Sequence, residues 1–353
     1  MWAIPISILF GFFGVLSMII GIQHRKLKAT AEIFYNDISM ALIYFMCAFS
    51  YPFLFANRGV APDAQQTLFI IADIVLLAFA GFLFYFVMKD YIMGKRDPDW
   101  KEARSYEKFL VKRKEEIEEN PEKIIKMDVN RKLLHLIPVG VITLCFLIAY
   151  LFEDFLVSIG ISAIGFGYWF VVLIGYAFCV MFMLAESFRL INYHKLFYLD
   201  PEWAHKWFLS SITDKEINSF IASIPLVLCL MPFVFGPVSI FFSVGYVACL
   251  SDASASIFGK RFGKHKLPMN KKKSWEGLIA GTGVTFLTVV IITLLIPLPG
   301  VTSNLLLVIL MAAGTSIVFM VIDMYAKRIG DNILNPLMCG SFMVVFLNIS
   351  MLI

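Results

Sequence analysis

Apolar and polar positions alternate along the chain in long blocks, with ten apolar runs near residues 2–22, 38–56, 67–88, 133–152, 156–185, 217–235, 238–257, 276–296, 303–322 and 333–352. Each approaches the ~20 residues that a helix needs to cross the hydrocarbon layer of a bilayer. The expected fold is therefore all-α: a polytopic integral membrane helix bundle of about ten transmembrane helices. The run at 156–185 is longer than a span requires, so it is expected to tilt or to break near Gly165 and Gly167, or at Gly175.

Composition agrees with lipid as the solvent. Apolar residues make up 59% of the 353 and charged residues only 16%, against about 25% in a typical soluble domain. A soluble chain of this length would need a charged surface that is missing here. The six cysteines, Cys47, Cys145, Cys179, Cys229, Cys249 and Cys339, all lie inside apolar runs with no metal-ligand spacing, and read as small core residues. The net charge of +4 gives no reason to expect a nucleic-acid partner.

The placement of charge sets the topology. No basic residue precedes the first run and no small-residue cleavage site follows it, whereas Arg25, Lys26 and Lys28 do, so it is expected to remain as an anchor with its amino end outside. Alternation then puts 23–37, 89–132, 186–216, 251–275 and 323–332 on the cytoplasmic side, where they hold 29 of the 30 Lys and Arg. Only Arg58 falls outside, as the positive-inside rule requires of a correct count. Both termini are expected to be external, in the cell membrane of a prokaryote or the endoplasmic reticulum of a eukaryote. The chain divides into a three-helix membrane segment (1–94), a charged cytoplasmic helix (95–130) and a larger membrane domain (131–353). Within 95–130, Asp97 before Pro98 is a good helix start, and ten basic and ten acidic residues with spaced pairs such as Lys112/Glu116 and Lys114/Glu118 describe a solvated or interfacial helix. No internal repeat appears, which argues against a transporter. Asp73, inside the third run but nearer its outer end, is an intramembrane acid for which an interfacial role is expected.

The richest chemistry lies between Ser251 and Gly277. Asp252 ends a membrane run beside the small residues 253–256; Gly259 and Gly263 follow, and seven cations, Lys260, Arg261, Lys264, Lys266, Lys271, Lys272 and Lys273, fall within fourteen residues. A basic cluster at a membrane surface is usually a topology signal or an anionic-lipid contact. Here the glycines let backbone approach a ligand, the cations can neutralise a triphosphate, Ser274 can cap a helix whose amino end attracts phosphate, and Asp252 can serve a magnesium ion. A plain cap explains Ser274 and a first-turn dipole contact explains Glu276 without any ligand, so the combination carries the signal.

These two blocks resemble the signature of the dolichol kinase, phytol kinase and CTP-dependent diacylglycerol kinase group, which shares a superfamily with phosphatidate cytidylyltransferases. The match runs through Asp252, Ala255, Ser256, Gly259, Arg261 (displaced by the extra Lys260), Gly263, Lys264, Lys273, Ser274 and Gly277. Further blocks fit: Arg131-Lys132-Leu133-Leu134-His135 at a helix start, Glu186 with Arg189, and Asp323 followed by Asp331-Asn332 and Pro336. Glu186 and Arg189 also stand at the spacing of a structural ion pair. The resemblance covers roughly 130–340, leaves the first three spans unexplained, and lacks the Pro-Gly-His-Gly-Gly run of the cytidylyltransferases.

The resemblance implies an enzyme that moves the γ-phosphate of CTP to the hydroxyl of a membrane isoprenoid alcohol or diacylglycerol; the alternative is a cytidylyltransferase making a CDP-lipid. It implies Mg²⁺ on Asp252 and Asp331. Phosphate contacts are expected from Gly259, Lys260, Arg261, Gly263, Lys264, Lys272, Lys273 and Ser274, with Arg131, His135 and Asn332 completing the nucleotide site. Glu186 and Arg189 are expected to support the lipid. The base is open among Asp252, Glu276 and Asp323. The partners are thus CTP, a lipid alcohol and the bilayer, with room for a homodimer.

Overall fold

The computed structural model describes residues 3–26, 31–103, 108, 111, 114–115, 136–191, 220, 223–271, 273–326 and 329–352. Among them there is no strand. The helices are α1 (Ile4–Lys26), α2 (Ala31–Ser50), α3 (Pro62–Arg96), α4 (Pro98–Ala103), α5 (Ile137–Leu151), α6 (Glu153–Ser158), α7 (Ala163–Ile191), α8 (Ser223–Leu228), α9 (Val238–Tyr246), α10 (Asp252–Phe262), α11 (Trp275–Leu295), α12 (Leu305–Tyr325) and α13 (Asp331–Ser350). Eight segments are long and apolar enough to cross a membrane, and Ile137–Leu151 and Ser223–Phe235 are shorter apolar helices. The chain is a multi-pass membrane protein, and these ten segments correspond one for one to the ten apolar runs.

Two boundaries differ from expectation. The run expected to break at a glycine instead turns between α6 and α7, where Gly160 adopts φ +79°, and α7 then continues unbroken past Gly165, Gly167 and Gly175. Those glycines serve packing. A Cβ on Gly165 would lie 2.4 Å from Val60 Cγ2, and one on Gly167 would lie 2.9 Å from the Phe146 ring. The third span is also longer than its apolar run: α3 has 35 residues, about 52 Å at 1.5 Å per residue, so it leaves the ~30 Å hydrocarbon layer and carries Lys89, Asp90 and Lys95 beyond it. It stops at Asp97, whose Oδ1 accepts from the amides of Asp99 and Trp100 at 3.0 Å each and so opens α4, as the Asp-Pro pair predicts. Most of 95–130, including Lys112, Glu116 and Glu118, lies outside the described residues.

Helices of alternating direction bring like ends together. At one end the α2–α3 connection meets the chain before α7 and α9: Ala61 N donates to Gly160 O at 2.7 Å, and Ser162 N donates to Gly59 O at 3.0 Å. Arg58, the one cation expected on the outer side, donates to Val234 O and to Gly236 O, the latter at 2.8 Å, and lies over the Tyr168 ring at 4.3 Å. Aromatic side chains fill the layer beneath, with Phe10 stacked on Tyr176 at 3.9 Å between ring centroids. All six cysteines are free and buried, as core residues would be. The opposite end holds the loop between α10 and α11 and the candidate site.

Candidate functional site

The site begins with an irregularity in the helix that carries Asp252. Val247–Ser251 forms a π-turn between α9 and α10, a wider winding that inserts a residue and re-aims the next side chains. Thr285 on α11 donates to Ser251 Oγ at 2.9 Å and ties that turn to its neighbour. Asp252 follows at once and is 6% exposed. It was expected to end a membrane helix. In fact the helix continues ten residues to Phe262, which places Asp252 deeper in the bundle and about 15 Å of helix rise below the start of the basic loop.

Beyond α10 the chain folds back on itself. The glycines expected to admit a ligand, Gly259 and Gly263, instead admit protein: a Cβ on Gly259 would meet Ser274 Oγ at 3.1 Å and one on Gly263 would meet it at 2.5 Å, while a Cβ on Gly277 across the contact would meet Ala255 O at 2.5 Å and Gly259 Cα at 2.9 Å. Helices α10 and α11 therefore touch backbone to backbone. Ser274 caps α11, accepting from Gly277 N at 3.3 Å. The intervening loop closes through Leu267 N to Lys273 O at 3.0 Å and Trp275 N to His265 O at 2.9 Å. Glu276, a candidate base, holds this loop: its Oε1 accepts from Lys264 N and His265 N at 3.2 Å and contacts His265 Nδ1 at 2.7 Å. With both faces of its carboxylate engaged by the loop, Glu276 is a structural clamp in this arrangement.

The loop turns one cation inward. Lys273 Nζ lies 2.5 Å from Asp323 Oδ1 at the end of α12 and 3.4 Å from Asp331 Oδ2 at the start of α13, with Asp252 within electrostatic reach. Burial alone would lower the pKa of this lysine; the carboxylates of Asp331, Asp323 and Asp252 together outweigh it and raise it above the usual lysine value. The ammonium is thus a fixed positive charge. Asp323 is 3% exposed, and Lys273 is the partner that offsets the cost of burying it. Among the described residues, the groups that contact the ammonium are the carboxylates of Asp323 and Asp331, the donor type that magnesium takes. Among the described residues no three metal-ligating side chains close on one point, so an ion here would take one or two carboxylates and leave its other positions to phosphate or water.

The other expected contacts are distributed unevenly. Lys260, Arg261 and Lys264 are exposed along the outer side of α10 and its loop, with Arg261 5.5 Å over the Phe262 ring. Lys273 meets the acids Asp323 and Asp331. Asn332 is partly buried beside Asp331 on α13. Glu186 is fully buried near the end of α7. Arg131, His135, Lys272 and the side chain of Arg189 lie outside the described residues, and so does the Glu186/Arg189 pairing. Asp73 stands eleven residues into α3, is 9% exposed, and its Oδ1 has no hydrogen-bond partner among the described residues.

Three residues of the first two helices join the site without a sequence motif to announce them. Asn36 Oδ1 accepts from Gly330 N at 2.8 Å and so fixes the chain entering α13 one residue before Asp331. Its neighbour Asp37 is fully buried against His24 Nδ1 at 2.6 Å, which locks α1 to α2 at the same level. The available signal was the polar Asn36-Asp37 step where an apolar run begins. Against known proteins, no family model matches the chain, and neither the curated proteins nor the solved structures contain a match.

Proposed function

We propose that the chain is a CTP-dependent lipid-alcohol kinase of the dolichol or polyprenol type, acting at the cytoplasmic end of the bundle. One observation carries the reading: Lys273 bonds Asp323 and Asp331 at the level where one apolar helix ends and another begins, with Asp252 within electrostatic reach from deeper in the bundle. A water-borne polyphosphate and a membrane-borne hydroxyl can meet only at such a level. Phosphoryl transfer asks for positioning and charge neutralisation more than covalent chemistry by the protein. The exposed Lys260, Arg261 and Lys264 suit capture of the nucleotide, and Lys273 suits the γ-phosphate. A phosphate that draws the ammonium away releases the Asp323 carboxylate to accept the hydroxyl proton. The lipid oxygen then bonds to the γ-phosphorus, the bond from that phosphorus to the β-bridging oxygen breaks, and CDP leaves with the electron pair. Magnesium on Asp331 with Asp252 would neutralise charge on the phosphates. CTP as donor rests on the family resemblance.

Purified protein given γ-labelled CTP or ATP with polyprenol, phytol or diacylglycerol tests the reading. Label is expected in lipid phosphate with CTP, and Asp252→Asn is expected to abolish it. Label recovered in pyrophosphate instead would make the chain a cytidylyltransferase, and full activity in Asp252→Asn would remove that residue from the site.

A further inference from the structure

Helix α13 carries a second polar group that no motif accounts for. Asn335 follows Asp331 by four residues, on the same helix face and about 6 Å further from the charged end. It is 2% exposed, and its side-chain carbonyl oxygen has no hydrogen-bond partner among the described residues. The next residue on that stripe, Cys339, contacts Thr315 O on α12 at 3.9 Å, so the stripe faces the helix that carries Asp323. The nearby hydroxyls of α12 use their protons within α12: Thr315 donates to Met311 O at 2.7 Å and Ser316 to Ala312 O at 2.8 Å. Pro336 has no N–H, so the carbonyl of Asn332 also lacks its normal helical donor. A turn of α13 just inside the carboxylates is therefore rich in acceptors and short of donors.

An unsatisfied buried amide is costly, and more so where no water reaches it. We propose that the Asn335 side-chain carbonyl receives the hydroxyl of a membrane-borne alcohol, one helical turn inside the Lys273–Asp331 cluster. This deepens the kinase reading and rests on it for the later transfer step. The alcohol is a good match because it brings one proton to donate and an apolar body that tolerates this depth. Asn335 acts before chemistry: it selects molecules with a free hydroxyl and holds them near the carboxylates, and the bond is given up when the oxygen moves to the phosphate. Its loss should therefore act on KM for the alcohol far more than on kcat.

The test uses the full chain in detergent with geranylgeraniol and its methyl ether as probes, and Asn335→Leu as the variant. Without probe, Asn335→Leu should unfold at the same temperature as the wild type or higher, because an orphaned acceptor has been removed. Geranylgeraniol should raise the wild-type Tm and leave that of the variant unchanged, and the ether should move neither. With CTP present, KM for the alcohol should rise about tenfold, the size of one lost hydrogen bond. An equal Tm shift in the variant, or an equal shift of the wild type by the ether, overturns the proposal. If Asn335→Leu does not fold, Asn335→Ser is read in its place, with a reduced alcohol shift expected and a full one overturning it. An alcohol shift with no phosphate transferred would refute the kinase reading alone; transfer with an unchanged KM in the variant would refute the Asn335 assignment alone.

Discussion

The two ends of the bundle use charge in opposite ways. At one end a guanidinium, Arg58, is spent on the backbone carbonyls of Val234 and Gly236 and on the Tyr168 ring. It staples loops together, and among the described residues no carboxylate pairs with it. At the other end an ammonium is spent on carboxylates: Lys273 meets Asp323 and Asp331 directly and Asp252 at longer range. Arg58 thus joins backbone to backbone between loops, whereas Lys273 joins carboxylates of two helices at a place partly open to water.

Substitutions should separate these two uses. The largest effect is expected from Lys273→Met, which should lower CTP-dependent transfer by about a thousandfold, as for loss of a preorganised transition-state charge, and should also lower the thermal stability by about 3 kcal/mol because Asp323 is left buried without its partner. Radiolabel transfer and a melting curve read both. Gly277→Ala forces a methyl group into the contact with Ala255 and Gly259 and should cost about 2 kcal/mol by overpacking, with activity falling as the loop shifts. Asn36→Leu removes the acceptor for Gly330 N; kcat should fall about tenfold, and Asn36→Asp, which keeps an acceptor there, should restore most of it. At the far end Arg58→Met should lower the Tm, reflecting about 2 kcal/mol of charged hydrogen bonding, and leave kcat/KM unchanged. A large loss of activity in Arg58→Met, or none in Lys273→Met, would erase the contrast between the ends.

What could be read in advance follows from range. The ten apolar runs are local properties of composition, and each returned as a helix. Where a helix stops depends on what it packs against, so α3 ran past its apolar window and the turn before α7 fell at Gly160, opposite the Gly59–Ala61 strand of loop. In the site, Asp252, Lys273, Asp323 and Asp331 could be picked out as residue types, but seven cations look alike in a string, and only the loop closure by Glu276 and Ser274 distinguishes Lys273 from Lys264. The π-turn before Asp252 has no composition of its own. Asn36 was hidden for a different reason: its partner, Gly330, is 294 positions away, and a backbone amide leaves no mark in a sequence.

The contact between Gly259 and Gly277 leaves no room for α10 and α11 to slide past one another, and the short loop between them carries Lys273. The two helices and the loop that bears the lysine are therefore packed as one unit. Through Asp323 and Asp331 that single ammonium also fastens the unit to the end of α12 and the start of α13, so one side chain stitches four helices together.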